Sequence, residues 1–174
     1  KGQYDTLRTV ALNNSVPVPL YFDPRLPGQA LPTGKDTYLF QEFPTKRPQN
    51  IEECAFYTIG QLAHLIRTRQ VTSLELTTMY LERLKRHGPT LECVVTLTEE
   101  LALKQARRAD KNIKAGRYLG PLHGIPYGAK DLLAVAGYKT TWGAMTHKDQ
   151  VLDETATVVQ KLEDAGAVLV AKLT

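Results

Sequence analysis

The sequence is poor in the residues that build disulfide frameworks or metal centres. It has two cysteines, Cys54 and Cys93, and their spacing matches no metal-ligand motif. Two cysteines cannot form a disulfide framework, so the chain is compatible with a reducing compartment. The four histidines are scattered along the chain as well. We therefore expect no metal site.

The sequence also lacks long hydrophobic runs. No apolar stretch approaches the roughly 20 residues that cross a bilayer as a helix, and no signal-peptide pattern opens the chain. We predict no membrane span and take the cytoplasm as the default compartment. The chain starts at Lys1 and stops just after the apolar run Ala167–Ala171. These ends lead us to expect a fragment of a longer protein.

Long blocks of one charge sign are missing too. The net charge is +4, from 22 basic and 18 acidic residues that are interleaved. The densest basic cluster lies in a helical pattern and consists of Arg107, Arg108, Lys111, Lys114 and Arg117. Such a cluster is more typical of a solvated helix face than of a phosphate-binding patch, so we expect no nucleic-acid partner. The hydrophobic fraction of 43% is that of an ordinary globular protein.

Residues 1–54 form a region rich in proline. Seven of the ten prolines precede residue 50, and proline removes a backbone donor and restricts the chain to extended conformations. Several large apolar residues lie in the same region, among them Leu20, Phe22 and Phe40. We therefore predict an irregular arm, residues 1–54, packed on a body formed by residues 55–174.

Four segments of the body have helical patterns. The first begins at Thr58, and the second begins at Thr72 in capping-box spacing with Glu75 and ends at Gly88-Pro89. The third opens at Thr98 with Gly116 as its C′ residue, and the fourth runs through residues 155–165. The predicted apolar faces are Ile59, Leu62, Ala63 and Ile66; then Leu74, Thr77, Leu81 and Leu84; then Ala102, Ala106, Ala109 and Ile113; and then Val158, Leu162 and Ala165.

Three segments have strand character. Cys93–Leu97 is a short β-branched run, Ala167–Ala171 is entirely apolar, and the stretch Gly120–Leu133 precedes the loop and helix that lead to that apolar run. A strand, a loop, a helix and an apolar strand make a βαβ unit, which implies a parallel pair covered on both faces. The predicted class is α/β: a mixed, largely parallel sheet flanked by helices on both faces, with an N-terminal helical region.

Lys130 stands in this strand segment, GPLHGIPYGAKDLL, where a charge is unexpected. A phosphate loop is a poor match, because the glycine spacing is one residue short and Asp131 replaces the hydroxyl that would hold magnesium; we expect no cofactor. Composition alone favours an exposed lysine at a strand end. The alternative is a buried neutral amine that acts as a general base towards a serine hydroxyl.

The segment Gly120–Asp131 resembles the sequence around the catalytic lysine in the amidase signature family of amide hydrolases. The similarity continues in order through GYKTTWGA (137–144), DETATVV (153–159) and AGAVLVAK (165–172). The helical segments from Thr58 to Ala115 also resemble the N-terminal region of the family. The resemblance covers residues 55–174 and implies a partial amidase signature fold, whereas the proline-rich arm lies outside it.

This resemblance implies cleavage of an amide C–N bond through an acyl-enzyme on a Ser–cis-Ser–Lys triad. Lys130 corresponds to the triad lysine, the general base, and Asp131 is expected to be structural. Thr141 and Trp142 lie on a loop that could line the acyl pocket, although core packing explains Trp142 equally well. His123 has no role in the family's mechanism and is expected to be a hydrogen-bonded polar residue.

The family's two serines belong to a Gly-Ser-rich segment well beyond the lysine. This chain contains Ser15 in the proline-rich arm and Ser73 at a helix start, and neither lies in such a segment. The triad is incomplete here, and we expect these 174 residues to be inactive by themselves.

Two other functions stay open at this stage. One is the A subunit of an aminoacyl-tRNA (Glu/Asp) amidotransferase, and the other is a non-catalytic α/β interaction domain. The expected binding partner is a small-molecule or peptide-like amide substrate, and a homodimer is a further candidate assembly.

Overall fold

A computed structural model of the chain describes residues 43–174 continuously, together with residues 5, 6, 9, 28–30, 34 and 41. The chain divides into two compact units, Lys1–Leu39 and Phe40–Thr174. In the first unit, the N–H and hydroxyl groups of Thr9 both donate to the carbonyl of Thr6. Most of the predicted proline-rich arm lies outside the described residues, so the arm and its boundary at residue 54 stay predictions.

The helical region begins with a 3-10 helix, Ile51–Phe56, followed by α1 (Ile59–Arg67) and α2 (Ser73–Leu91). Capping boxes begin both α-helices, one at Thr58 and one at Thr72. The two caps confirm the predicted starts, because each depends on residues three positions apart in the sequence.

The predicted end of α2 is wrong. The helix continues through Gly88 and Pro89 to Leu91, and Glu92 then adopts a left-handed conformation (φ 50°). A Cβ on Gly88 would lie 3.0 Å from the Val94 side chain, so this glycine serves close packing and does not end the helix. Pro89 lies in the last turn of the helix, two residues before its end at Leu91.

Strand β1 (Val94–Leu97) is followed by α3 (Glu99–Lys114). The predicted small-residue stripe of α3 is buried, and Gly116 has the φ of 81° that a C′ glycine adopts. The basic residues of the helix are exposed, as expected for a solvated face; they are Lys104, Arg107, Arg108, Lys111 and Lys114. In the part of the chain that the structure covers, no helix combines the length and apolar character needed to cross a membrane.

The rest of the chain comprises β2 (Pro126–Lys130), a 3-10 helix (Met145–His147), α4 (Thr157–Asp164) and β3 (Val168–Leu173). The sheet order is β1-β3-β2, with β2 parallel and β1 antiparallel to β3. The α/β class and the mixed sheet are thus confirmed, and the parallel pair of β2 and β3 is the predicted βαβ unit.

Strand β3 is the centre of the core and is covered on both faces. Val168 and Val170 pack with Ala102 and Ala106 of α3, whereas Leu169 packs with Val159 of α4 and with Ala129 of β2. Alternate residues of a strand point to opposite faces, so one apolar strand fills two core layers. The small alanines allow α3 to approach the sheet closely.

Two residues predicted for the core lie at the surface. Ile59 is 54% exposed and Val158 is 47% exposed. Both stand in the first turn of their helices, where few neighbours surround a side chain. The core residue of α4 is Val159, one position later. The other predicted residues of α1, namely Leu62, Ala63 and Ile66, are buried.

Candidate active site

Lys130 is the last residue of β2, and it is exposed. Its strand partner is Leu173 of β3. The N–H of Asp131 donates to the carbonyl of Leu173 at 2.8 Å, and the N–H of Leu133 donates to the carbonyl of Lys130 at 2.9 Å. The backbone around Lys130 is therefore held by hydrogen bonds on both sides, while its side chain projects from a strand end, as composition alone suggests. The alternative of a buried amine is wrong for the residues that the structure describes.

Two glycines allow the close packing predicted around this lysine. Gly124 has a φ of 81°, and a Cβ there would lie 2.9 Å from the Cβ of Ser73. A Cβ on Gly128 would overlap the side chain of Leu173. Larger residues would push β2 away from α2 and β3, and would displace the strand that carries Lys130.

A β-bulge decides which face of the sheet Lys172 occupies. Tyr127 of β2 pairs with Leu169 of β3, but the next residue of β2, Gly128, pairs with Ala171. One residue of β3 is therefore extra at this point. Strict alternation would place Leu169 and Lys172 on opposite faces because they are three residues apart. The extra residue brings Lys172, which pairs with Ala129, to the face of Leu169.

Asp131 and Lys172 form a buried ion pair on that face. Asp131 is 4% exposed and Lys172 is 0% exposed, and Lys172 Nζ lies 2.8 Å from Asp131 Oδ1. Lys172 Nζ also donates to the carbonyl of Lys139 and to the hydroxyl of Thr140, both at 2.6 Å. Asp131 Oδ2 accepts from the N–H of Thr141 at 2.8 Å and from its hydroxyl. Two charged side chains from the sheet thus bind three consecutive loop residues.

The environment of Asp131 keeps its carboxylate ionised. Burial alone would raise the pKa of this carboxyl group, because desolvation penalises the charged form. The hydrogen bonds and charge of Lys172, together with both donors of Thr141, outweigh burial and lower the pKa. An ionised carboxylate held by the Lys172 ammonium and by Thr141 fits the structural role expected for Asp131.

The structure places the two predicted pocket residues in different environments. Thr141 is 8% exposed, and its hydroxyl donates to Asp131 and accepts from the N–H of Gly143. Trp142 is 47% exposed with a left-handed φ of 53°, so it is not a core residue. Its ring meets His147 edge-on, with centroids 4.9 Å apart. Of the two, Trp142 offers the surface that a ligand could contact.

His123 lies apart from this cluster and is buried. It is 1% exposed, its Nδ1 accepts the N–H of Leu119 at 3.1 Å, and its ring stacks on Tyr118. Burial and the nearby Arg117 and Arg108 lower the pKa of His123. His123 is therefore hydrogen-bonded, as expected, and its lack of a catalytic role stays a prediction.

Neither serine of the chain is placed as a nucleophile among the described residues. Ser73 is fully buried, and its hydroxyl donates to the carbonyl of Gly124 at 2.8 Å. It therefore links α2 to the segment that leads into β2, whereas Ser15 lies outside the described residues. In the same part of the chain, no three His, Cys, Asp or Glu residues are grouped so that they could hold a metal.

Lys172 is the residue of this cluster that sequence reasoning missed. The run Ala167–Ala171 is apolar and ends just before it, so attention falls on the strand and not on the lysine. The signal that could have found it is the one that singled out Lys130, a lysine at the end of an apolar strand.

Comparison with known proteins places these features in a family. The family model described as Amidase matches residues 75–174. The chain is 43% identical over 115 residues to the A subunit of the glutamyl-tRNA(Gln) amidotransferase from Azoarcus sp. (strain BH72), covering 66% of this chain and 23% of that protein.

Solved structures agree with this match. The native peptide amidase of Stenotrophomonas maltophilia is 35% identical with a TM-score of 0.64, covering 71% of this chain and 26% of that one. An amidase family protein from Bacillus anthracis str. Ames is 30% identical with a TM-score of 0.64, covering 71% and 25%. The chain spans about a quarter of the length of the curated relatives it matches. The chain belongs to the amidase signature family of amide-hydrolysing enzymes.

Proposed function

We propose that the full-length protein hydrolyses amide C–N bonds through a Ser–cis-Ser–Lys triad with Lys130 as the general base. The observation that carries the proposal is the position of Lys130. It is exposed at the end of β2, and its backbone is held on both sides by hydrogen bonds. The strand fixes the backbone of Lys130, and the exposed side chain leaves its amine open to the serine whose proton a general base must reach.

In this mechanism Lys130 accepts a proton from the bridging serine, which takes one from the nucleophilic serine as that serine attacks the amide carbonyl carbon. Collapse of the tetrahedral intermediate breaks the C–N bond, and the proton returns to the leaving amine. Water then hydrolyses the acyl-enzyme. Because Ser73 is buried and bonded to Gly124, the serines of the proposal are supplied by the longer protein, and residues 1–174 alone are inactive.

The proposed substrate is a small or peptide-like amide bound beside Trp142. The exposed indole ring supports this role, because aromatic surface offers apolar contact to an acyl group. Contact with Thr141 stays a prediction, since its hydroxyl is already engaged by Asp131 and Gly143. A homodimer without a nucleic-acid partner is part of the same proposal.

A second candidate is the A subunit of an aminoacyl-tRNA amidotransferase. The 43% identity to the A subunit of a glutamyl-tRNA(Gln) amidotransferase supports it. In that case further protein chains would be required as partners, and ammonia would be released from glutamine. Hydrolysis of simple amides without partners favours the amidase, whereas release confined to glutamine favours the amidotransferase.

The test is the Lys130→Met variant of the full-length protein. Loss of the general base should lower kcat by roughly 100- to 10,000-fold with the fold intact. Ammonia release from acetyl-phenylalaninamide and hexanamide measures the rate, and the thermal midpoint checks the fold. The matched control is Lys104→Met, which removes an exposed lysine of α3 and should keep the parental rate. Parental kcat in Lys130→Met would refute the assignment.

A further inference from the structure

The loop next to Lys130 is held in place by the buried ion pair. We propose that Asp131 and Lys172 are positioning residues that anchor the loop of residues 139–143 to the ends of β2 and β3 and thereby set the place of Trp142 in the amide pocket. The inference rests on the proposed function, in which Trp142 lines that pocket.

The contacts show how the sheet holds the loop. Lys172 Nζ binds the carbonyl of Lys139 and the hydroxyl of Thr140, and Asp131 Oδ2 receives both donors of Thr141. On its other side, the loop forms two hydrogen bonds with Gln150, both at 2.9 Å. The N–H of Thr140 donates to the backbone carbonyl of Gln150, and the side-chain amide of Gln150 donates to the carbonyl of Thr140. Both side chains of the ion pair are thus used to bind the loop.

The same contacts connect the loop to the catalytic lysine. Lys130 precedes Asp131 in sequence, and Trp142 follows Thr141, so each stands next to one member of the Asp131–Thr141 contact. The backbone of Lys130 is fixed independently by the strand and the turn. Trp142 is held by the loop and by its edge contact with His147. Loss of the anchor should therefore displace Trp142 and leave Lys130 in place.

Because loss of the anchor should displace Trp142 but not Lys130, we expect a change in KM and not in kcat. In the full-length protein, Thr141→Val keeps the side-chain shape but removes the hydroxyl that donates to the carboxylate. KM for acetyl-phenylalaninamide should rise about tenfold, as expected for one lost bond to a charged acceptor. The matched control Thr78→Val makes the same change at an exposed position of α2 and should keep the parental KM. A parental KM in Thr141→Val, or a loss confined to kcat, would overturn the proposal.

The ion pair is tested by removing one charge and then both. Asp131→Asn leaves the Lys172 ammonium buried without its carboxylate and should lower the thermal midpoint as well as raise KM. The double variant Asp131→Asn/Lys172→Met has no buried charge, so its midpoint should recover. Its KM should stay raised, because Thr141 no longer has a charged acceptor. A double variant with both values restored would show that the pair serves stability alone.

A double-mutant cycle tests whether the effect passes through Trp142. If it does, Thr141→Val should raise KM little further in a Trp142→Ala background. Fully additive increases would contradict the proposal. Hydrogen exchange across residues 139–143 reports the anchor without any activity, and should be faster in Thr141→Val than in Thr78→Val. Unchanged hydrogen exchange in Thr141→Val would refute the anchor itself. Equal rates of amide hydrolysis in the parent and in Lys130→Met would refute only the proposed function.

Discussion

Lys172 and His123 are basic side chains within the described core, and the structure accommodates them differently. Lys172 meets a carboxylate, a hydroxyl and a carbonyl. His123 instead accepts a backbone N–H through Nδ1. Burial lowers its pKa from the ordinary value of 6.5, the cations of Arg117 and Arg108 lower it further, and Asp110 opposes them. A histidine buried as the neutral form stabilises the fold only while it stays neutral.

The pKa shift of His123 predicts a loss of stability in mild acid. The folded pKa lies below the unfolded value, so the contribution is complete above about pH 6.5 and is lost as the pH falls through that value towards the lower folded pKa. The free energy of unfolding of the full-length protein, measured in urea across this range, should decrease with decreasing pH.

Substitution of His123 tests whether this residue causes the pH dependence of the free energy of unfolding. His123→Gln keeps an acceptor but cannot take up a proton there, so its pH dependence should be flatter than that of the parent. His87→Gln changes an exposed histidine and should keep the parental slope. If both variants retained the slope, His123 would not be its source.

At the scale of elements, the helix starts are set by local chemistry. Thr58 and Gln61 form one capping box, and Thr72 and Glu75 form another. Each box closes within four residues, so its spacing in the sequence is sufficient to predict it. Helix ends are not set by local residues in the same way. Helix α2 continues beyond Pro89 because Gly88 is buried against Val94, which follows the helix in the sequence. Packing that involves later residues cannot be read from a local pattern.

The cap at Thr72 should have a measurable effect on stability. Thr72→Ala removes the side-chain acceptor of the Glu75 N–H, 3.1 Å away, and should lower the free energy of unfolding by about 1 kcal/mol. Thr78→Ala makes the same change at an exposed position in the middle of α2, where alanine is the better helix former. Urea unfolding that showed equal losses in both variants would argue against the cap.

At the scale of the whole molecule, residues 43–47 belong to the second compact unit. Arg47 donates to the carbonyl of Gln70 and to the carboxylate of Glu75, both at 2.8 Å, and Gln70 donates to the carbonyl of Thr45. The ring of Phe43 covers Gly60 so closely that a Cβ there would overlap it. Residues 43–47 therefore pack against α1 and bind the connection between α1 and α2.

Two truncations of the full-length protein test the contribution of this segment. Removal of residues 1–39 keeps the contacts of Phe43 and Arg47 within the second unit, so this shorter protein is the reference for the thermal midpoint. Removal of residues 1–50 also deletes Phe43 and Arg47, and should lower the midpoint by about 2–8 °C. Equal midpoints in the two truncated proteins would show that residues 40–50 do not stabilise the second unit.

The sequence by itself determined the α/β class, the starts of the first three helices, the small-residue stripe of α3 and the segment that carries Lys130. These features depend on spacing within one element or on a contiguous motif. The tertiary structure alone decided the partner of Asp131. Lys172 lies 41 positions later, and it reaches the same face because a bulge in β3 changes the alternation of side chains. A bulge depends on how two strands pair, so no periodicity within either strand predicts it.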